Sequence, residues 1–445
     1  MKATLPALMS AAAVACLVTA SSVPASATAA RSIHAEPAVG HLNSVAIDQP
    51  APEGSTAVSA SDLQNLGAQL SLESNLAVTD IITSDSERSI NTVTWDETSD
   101  VVTFYVYGDP ADVAARAANN LPAEQAWQIQ PSAHPVVEVE AAIEKLASTP
   151  SALPVGTIFV SGKPSPDGSS IDVGIERTDG VGMRSAQPLP EIFDDIALSY
   201  FDEEAAEPAL RSRSVAPVMS GNAMRGTTSG CTTGYPVLRV QDSQLNMLTA
   251  DHCSTTQEET WYFGGGSHVA GTSTFQAPGD TDLELFIQPA SLSTWMLAGN
   301  YTDNNTVAPI RGYAAPVGGN SVCYSGSRSG LVCNNVLESS DTYNCIGFLT
   351  CYWTRWSTQS SGVPAAGNGD SGGPVSILVL RSDNSVGAYG VGIVSMIPGG
   401  SSTNCTGEPG VAADGGRKCS PNVGMAPLSR WASAQSTHTL VYTNN

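Results

Sequence analysis

Cysteine is missing from a long stretch of this chain, since none of its nine cysteines falls between residues 28 and 230. Basic residues are also few, with 19 lysines and arginines against 42 aspartates and glutamates. So acidic a chain is unsuited to the phosphate backbone of nucleic acids, and we expect no nucleic-acid partner. It lacks a His-Glu-x-x-His motif and any cluster of histidines, so we expect no metal and no other cofactor. No long apolar run follows the first 20 residues, so we expect no membrane span.

The first residues have the three parts of a secretory signal peptide. Lys2 is followed by an apolar run over residues 5–20 and then by Ala25-Ser26-Ala27, a typical cleavage motif. We predict a signal peptide over residues 1–27 and a secreted, extracellular protein. Cys16 lies inside the apolar run, which argues against a lipoprotein site.

Composition divides the remaining chain into two parts. Residues 28–213 contain 28 acidic and 9 basic residues, whereas residues 214–445 contain 14 and 9. The eight cysteines of the second part suggest four disulfides in an exported domain. Residues 28–60 are rich in Ala, Ser and Pro and are predicted to be a linker. Residues 61–176 are predicted to form a small α+β domain within an acidic part that extends to residue 213.

Within the acidic part, the pattern predicts several elements. Residues 101–107 indicate a strand, and residues 111–121 and 137–147 indicate helices. Two strands, 157–162 and 170–175, flank the turn sequence Ser-Pro-Asp-Gly and predict a hairpin.

Residues 191–207 form an acidic stretch in which no regular structure is expected, and Arg211 and Arg213 beyond it predict a processing region. After residue 219, short β segments alternate with Gly, Ser, Asn and Thr, which is typical of a sandwich or barrel. Only residues 427–434 indicate a helix in this part.

Residues 367–375 read Gly-Asn-Gly-Asp-Ser-Gly-Gly-Pro-Val and place Ser371 in a glycine-rich loop. A serine hydroxyl attacks carbonyl groups only when a base takes its proton and donors receive the oxyanion. Residues 249–253, Thr-Ala-Asp-His-Cys, offer His252 as that base. The two segments resemble the Gly-Asp-Ser-Gly-Gly-Pro and Thr-Ala-Ala-His-Cys signatures of chymotrypsin-like serine proteases.

Further segments resemble the bacterial secreted group of streptogrisin and alpha-lytic protease. They are Cys231-Thr-Thr-Gly-Tyr-Pro-Val and the small loop from Cys323 to Cys333. The resemblance covers residues 219–445. It implies an all-β protease domain of two six-stranded antiparallel β-barrels with a C-terminal helix, and an active site between the barrels.

The resemblance also implies a role for the acidic part. Residues 61–213 would be an α+β pro-domain, a pro-region that assists folding and inhibits the enzyme. Residues 214–445 would be the protease domain, with Met219 as an alternative start that would imply self-processing. We expect a monomer that acts on protein or peptide substrates and binds its own pro-region.

The family's triad can be carried over residue by residue. His252 would be the general base and Ser371 the nucleophile, with the N–H groups of Gly369 and Ser371 as the oxyanion hole. The carboxylate that orients the imidazole would be Asp282, which precedes an alternating strand, with Asp280 as the alternative.

Other implied roles depart from the family's pattern. Asp370 is normally bonded to a cation, but the usual arginine position holds Tyr324, which leaves Arg328 as a candidate. Ala365 corresponds to the floor of the primary specificity pocket, and an uncharged floor favours cleavage after apolar residues. Ser395 corresponds to the serine whose segment pairs with the substrate backbone.

Cysteine pairing is implied in the same way. The resemblance indicates disulfides between Cys231 and Cys253 and between Cys323 and Cys333. Gly367 replaces a cysteine that normally bonds across the specificity pocket. The remaining cysteines would then close two short loops, Cys345 with Cys351 and Cys405 with Cys419.

Two other functions compete with this interpretation. Residues 369–373 also match Gly-x-Ser-x-Gly, the nucleophile turn of lipases, but that fold needs a strand before the serine, a helix after it, and a later Asp and His. Here the order is His, Asp, Ser. A catalytically inactive relative that binds a partner is the second alternative, and it would be expected to have lost a triad member.

Overall fold

The computed structural model describes most of the chain after residue 41. The residues described are 42, 44–59, 66–149, 152–153, 156–177, 192–193, 195–202, 218–226, 230–254, 258–263, 268–276, 280–287, 292–346, 350–381, 385–399, 401, 404–407 and 417–444. The predicted signal peptide and the paired arginines at 211 and 213 lie outside them. Within them, no helix is long and apolar enough to cross a membrane.

The part before residue 218 contains three helices and nine strands among its described residues. The helices are α1 Leu72–Thr83, α2 Ala111–Asn120 and α3 Val136–Ser148. The strands are β1 Ser44–Ala46, β2 Thr56–Ala57, β3 Ile90–Asp96, β4 Val101–Val106, β5 Ala126–Pro131, β6 Thr157–Pro164, β7 Ser170–Arg177, β8 Ile192–Phe193 and β9 Ile196–Asp202. The predicted strand, both predicted helices and the predicted hairpin are confirmed as β4, α2, α3 and the pair β6–β7.

Two features of this part differ from the sequence-based expectation. The sequence does not predict helix α1, because polar residues occupy positions on its buried face where an amphipathic helix would have apolar ones. Asn320 Nδ2 donates to Asn75 Oδ1 at 3.2 Å, and Ala315 N–H donates to Thr79 Oγ1 at 2.9 Å. The expectation of no regular structure over residues 191–207 is wrong, since β9 pairs in parallel with β7.

The part from residue 218 is almost entirely strand. Its strands are β10 Val218–Ser220, β11 Ala223–Arg225, β12 Gly230–Thr232, β13 Pro236–Arg239, β14 Gln244–Thr249, β15 Thr260–Phe263, β16 His268–Gln276, β17 Glu284–Ile287, β18 Leu292–Leu297, β19 Thr306–Tyr313, β20 Ser321–Gly326, β21 Gly330–Ile346, β22 Thr350–Gln359, β23 Ala366–Gly367, β24 Pro374–Leu380, β25 Val386–Met396, β26 Cys419–Ser420, β27 Asn422–Pro427 and β28 His438–Tyr442. The predicted C-terminal helix is confirmed as α4 Leu428–Ala434.

Six of these strands close into an antiparallel barrel. The pairings run from β20 to β21, β22, β27, β25, β24 and back to β20. We call this the closed barrel. All residues of β25 are buried, because this strand pairs on both sides within the barrel and also in parallel with β19. A Cβ atom on Gly390 of this strand would lie 2.7 Å from the ring of Tyr313, so only glycine fits there.

Another sheet contains the antiparallel series β13, β14, β17, β16, β15, β11 and β12. We call it the first sheet because its strands from β11 to β17 precede the barrel in the chain. Among the described residues these pairings form an open series. The predicted all-β fold with a barrel and a C-terminal helix is thus confirmed, whereas closure of a second barrel stays a prediction. The four cysteine pairs are also as predicted: Cys231–Cys253, Cys323–Cys333, Cys345–Cys351 and Cys405–Cys419.

The part before residue 218 packs on the closed barrel through the long hairpin β21–β22. Strand β6 extends this hairpin by antiparallel pairing of Tyr343 with Gly162 and of Asn344 with Ser161. Glu144 of α3 accepts a hydrogen bond from Trp353 Nε1 at 3.2 Å. One continuous sheet therefore runs from the barrel into the upstream part.

Candidate active site

Ser371 lies in the loop between β23 and β24, and glycines shape this loop. The φ angles of Gly369 and Gly372 are 111° and 84°, a region that favours glycine. A Cβ atom on Gly372 would lie 2.2 Å from the carbonyl oxygen of Thr232. The N–H of Thr232 donates to the Ser371 carbonyl at 2.7 Å, and the N–H of Gly372 donates to the Val394 carbonyl at 2.7 Å. The loop is therefore held by both the first sheet and the closed barrel.

His252 lies in a single 3-10 turn directly after β14. The disulfide from Cys253 to Cys231 joins this turn to β12. The ring places Nδ1 2.6 Å from Asp282 Oδ2 and Nε2 2.9 Å from Ser371 Oγ. The backbone N–H of His252 also donates to Asp282 Oδ1 at 3.0 Å. The structure thus brings the three expected residues into one chain of hydrogen bonds.

The alternative carboxylate, Asp280, does not take part in this chain. It is exposed, with a φ of 49°, and its carbonyl accepts the N–H of Trp353 at 2.8 Å. Asp282, by contrast, is fully buried. It is therefore Asp282 that contacts the imidazole.

Ser395 lies beside this carboxylate rather than apart from it. Its hydroxyl donates to Asp282 Oδ2, and its carbonyl oxygen lies 3.4 Å from Ser371 Oγ. The Asp282 carboxylate therefore receives the Ser395 hydroxyl as well as two groups of His252. The predicted pairing of this segment with a substrate backbone stays a prediction.

Protonation of the ring follows from these contacts. Burial acts to lower the pKa of His252, but the nearby Asp282 carboxylate, its hydrogen bond and the Asp251 carboxylate outweigh burial and raise it. With Asp282 accepting the Nδ1 proton, the neutral ring presents a lone pair at Nε2. That lone pair faces Ser371 Oγ, so the ring can accept the hydroxyl proton.

Two peptide groups of the nucleophile loop have fixed orientations. The Asn368 carbonyl accepts Arg417 Nε at 3.2 Å, and the Asp370 carbonyl accepts the N–H of Gly373 at 2.9 Å. In a trans peptide the C=O and N–H point in opposite directions. The N–H groups of Gly369 and Ser371, the predicted oxyanion donors, therefore point away from Arg417 and Gly373.

Asp370 is fully buried and pairs with Arg417, a residue that the sequence did not suggest. Arg417 Nη2 lies 2.8 Å from Asp370 Oδ2, and the guanidinium is 1% exposed. Arg328 contributes its backbone N–H, which donates to Asp370 Oδ1 at 2.8 Å. Ser329 adds a backbone and a hydroxyl donor, and the N–H of Gly367 adds another. The sequence offered no signal for Arg417, which lies 47 residues after Asp370 in the chain.

A second carboxylate lies next to His252. Where the family signature has alanine, this chain has Asp251, whose Oδ2 accepts the hydroxyl of Tyr352 at 2.7 Å. Burial raises the pKa of Asp251, and the hydrogen bond from Tyr352 opposes this rise. The Asp282 carboxylate raises the pKa further and His252 lowers it, so that the pKa of Asp251 is about 6. Sequence reasoning missed this residue, although its departure from the signature marks it.

The expected pocket floor is apolar in the structure. Ala365 is fully buried in one cluster with Val394, Ile397 and Val423. The neighbouring short strands β23 and β26 pair Gly367 with Cys419. A Cβ atom on Gly367 would lie 2.2 Å from Cys419 Sγ, so glycine leaves room for the bond from Cys419 to Cys405.

Comparison with protein-family models and with characterised protein sequences finds no match. Among solved structures, the chain is similar to a glutamic acid-specific serine protease, at 21% identity over 50% of this chain and 100% of that one, with a TM-score of 0.37. Protease A of Thermobifida fusca matches at 19% identity over 51% and 98%, with a TM-score of 0.36. The chymotrypsin of Cellulomonas bogoriensis matches at 21% over 51% and 99%, with a TM-score of 0.34.

The pairing of Asp370 with Arg417 yields a stability prediction. Arg417→Ala would leave a buried carboxylate without its counter-charge, and we expect the free energy of unfolding to fall by about 3–5 kcal/mol. Arg381→Ala, which removes an exposed arginine, should change it by less than about 0.5 kcal/mol. Denaturant titration of both variants measures the difference. Adding Asp370→Asn to Arg417→Ala should recover part of the loss, and no loss in the single variant would contradict the pairing.

Proposed function

We propose that this protein is a serine endopeptidase that hydrolyses peptide bonds through an acyl-enzyme on Ser371. The observation that carries the proposal is the position of His252, whose ring contacts Asp282 at 2.6 Å and Ser371 Oγ at 2.9 Å. These are the contacts that a nucleophile, its base and the group that orients the base require.

The reaction would proceed in two halves. His252 takes the proton of Ser371 as Oγ bonds to the substrate carbonyl carbon, and the resulting imidazolium is stabilised by Asp282. The protonated ring then gives this proton to the leaving amine as the peptide C–N bond breaks. Water, deprotonated by the same ring, attacks the ester, and the serine oxygen regains a proton as the acid leaves.

The orientation of the loop peptides supports an oxyanion hole at Gly369 and Ser371. Arg417 holds the Asn368 carbonyl, which turns the N–H of Gly369 to the other side of the peptide. Losing one donor of an oxyanion hole costs about 2.7–4 kcal/mol of barrier, so the orientation of this peptide matters for the rate.

The lipase alternative does not fit the local structure. A nucleophile turn in that fold connects a strand to a helix. Here the chain after Ser371 enters strand β24, Pro374–Leu380, and the proposed histidine and aspartate precede the serine along the chain. The order and the elements both favour the protease.

Specificity for apolar residues is proposed from the surroundings of Ala365. This residue lies among buried apolar side chains, which offer no counter-charge to a substrate lysine, arginine or glutamate. An apolar substrate side chain would gain about 1.5–3 kcal/mol on burial there.

We further propose that the protein is exported and made as a pro-enzyme, with residues 61–213 as its pro-region. Strand β6 and Glu144 on one side and the hairpin β21–β22 on the other form a contact that supports this role.

Covalent labelling tests the proposed chemistry. A fluorophosphonate probe should label Ser371 of the processed protein as Oγ displaces fluoride, and Ser371→Ala should lose both labelling and about 10⁶-fold of peptidase activity. His252→Ala should also abolish labelling, because the base is gone, whereas His438→Ala should not. Unlabelled processed protein would support the inactive binding module instead.

A panel of chromogenic peptides tests the specificity. Cleavage after Leu, Phe or Met should exceed cleavage after Arg or Glu by at least about tenfold in kcat/KM, since a charged side chain would be buried without a partner. Faster cleavage after Arg or Glu would contradict the role given to Ala365.

The carboxylate of Asp251 yields a pH prediction. Because it raises the pKa of His252, Asp251→Asn should lower that pKa and move the acidic limb of kcat/KM to lower pH. Tyr352→Phe removes a hydrogen bond that lowers the pKa of Asp251, so Asp251 stays neutral to higher pH. With less negative charge beside it, the pKa of His252 should fall, and the acidic limb should again move to lower pH. Asp242→Asn, at an exposed acid in the first sheet, is the control.

The same variants separate positioning from catalysis. The plateau activity of Asp251→Asn should fall far less than the roughly 10²–10⁴-fold loss expected when a general base is removed. A limb that stays in place or moves to higher pH would show that the Asp251 charge does not act on the ring.

A further inference from the structure

The segment between residues 44 and 58 joins the strands of the protease part rather than linking two domains. Strand β1 pairs in parallel with β28, with Ala46 opposite Tyr442. Strand β2 pairs in parallel with β19, with Ala57 opposite Val307. We call residues 44–58 the N-terminal strap. Its two strands are only three and two residues long, and both depend on partners far along the chain.

Apolar side chains of the strap and its flank lie inside the core. Leu42, Ala46 and Val58 are 1%, 6% and 4% exposed and belong to the main core cluster, which also contains His252's neighbours Ala250 and Cys253. Ile47 is 4% exposed and packs with Leu238 and Val441. The strap therefore completes the core of the first sheet instead of covering it.

The side-chain amide of Gln49 in the strap both donates and accepts a hydrogen bond. Its Nε2 donates to the carbonyl of Leu292 at 3.0 Å, and its Oε1 accepts the N–H of Thr294 at 2.8 Å. Its backbone carbonyl accepts Trp295 Nε1 at 3.2 Å. The amide thus bonds to strand β18 as a neighbouring strand would, with one donor and one acceptor.

The backbone of the strap is paired as well. The N–H groups of Ile47, Thr56 and Val58 donate to the carbonyls of Tyr442, Asn305 and Val307 at 2.7, 2.8 and 2.9 Å. Removing the strap would leave these carbonyls and the edge of β28 without their partners. Such an edge and the emptied core sites are costly to expose.

A continuous series of paired strands connects the strap to His252. Strand β28, which pairs with the strap, pairs on its other side with β13, and β13 pairs with β14. His252 follows β14 directly. Elsewhere in the upstream part, β6 and Glu144 of α3 contact the hairpin β21–β22 of the closed barrel. Helix α1 bonds to Ala315 and Asn320, which lie outside the strands of the first sheet.

We propose that the N-terminal strap is a permanent part of the protease fold and stays bound after the chain is cut downstream of it, so that the processed enzyme consists of two chains. The proposal rests on the proposed function only in assuming that the chain is processed. The strap binds as an extended segment of the same chain, with β1 paired to β28 and β2 paired to β19.

The test uses the full chain with Ser371→Ala, so that its outcome does not depend on peptidase activity. A recognition sequence for a site-specific protease is placed within residues 60–65, and the cut protein is passed over a sizing column in native buffer. We expect the peptide that carries the strap to elute with the remaining chain and to separate from it in denaturant. A strap peptide that elutes alone in native buffer would overturn the proposal.

Matched variants identify the contacts responsible. Ile47→Asp combined with Gln49→Ala should reduce the retained peptide at least tenfold, because it disrupts the core contact and the amide site. Glu53→Gln, at an exposed position of the same segment, should leave retention unchanged. Full retention in the double variant would also overturn the proposal.

Hydrogen exchange supplies a second readout on the uncut chain. The amides of Ile47, Thr56 and Val58 should exchange as slowly as those of β28, and the double variant should exchange them at least tenfold faster. Fast exchange in the unsubstituted chain would contradict a permanent strand. In processed wild-type protein, N-terminal sequencing should give two sequences whether or not Ser371 reacts with a probe, so the proposed function can fail independently.

Discussion

The site depends on a contact of 2.9 Å between atoms that belong to two different sheets. His252 Nε2 comes from the turn after β14 in the first sheet, and Ser371 Oγ comes from a loop of the closed barrel. A proton can pass between them only if the two sheets are held in one relative position. The backbone bond from Thr232 to Ser371 and the bond from the Tyr235 hydroxyl to the Val375 carbonyl, 2.8 Å long, both cross between the sheets and hold it.

Buried charge provides the second constraint on the nucleophile loop. A buried ion pair adds little net stability, because desolvation offsets the attraction between its members. The pair of Asp370 and Arg417 nevertheless fixes geometry, since the same guanidinium holds the carboxylate, the Asn368 carbonyl and the Thr406 carbonyl. Its planar arrangement of donors suits several acceptors at once. The orientation of the Gly369 peptide therefore depends on a residue outside the nucleophile motif.

The sequence predicted what short contiguous patterns can encode. The segments around His252 and Ser371, the hairpin β6–β7 and the helix α4 each carry their own local signal. Arg417 was missed because its partner is distant in the chain and the side chain reaches it only after folding. Helix α1 was missed because Asn75 and Thr79 replace apolar residues on its buried face, and their hydrogen bonds to Asn320 and Ala315 are long-range.

The strap shows the same limit in a different form. Residues 28–60 have the composition of a linker, and strands of two or three residues carry no periodicity that could be read. Their pairing is determined by the free edges of β28 and β19, which follow them by hundreds of residues. Composition describes the segment alone, whereas its conformation depends on what it pairs with.

The hairpin β21–β22 contacts both the upstream part and the residues beside the proposed triad. On one side it pairs with β6, and Trp353 contacts Glu144. On the other side the Tyr352 hydroxyl bonds Asp251, and the N–H of Trp353 bonds the carbonyl of Asp280. Tyr352 and Trp353 are adjacent and follow Cys351, whose bond to Cys345 closes the tip of the hairpin. The tip therefore contacts the upstream part through Trp353 and contacts Asp251 and Asp280, which lie one and two residues from His252 and Asp282 in the chain.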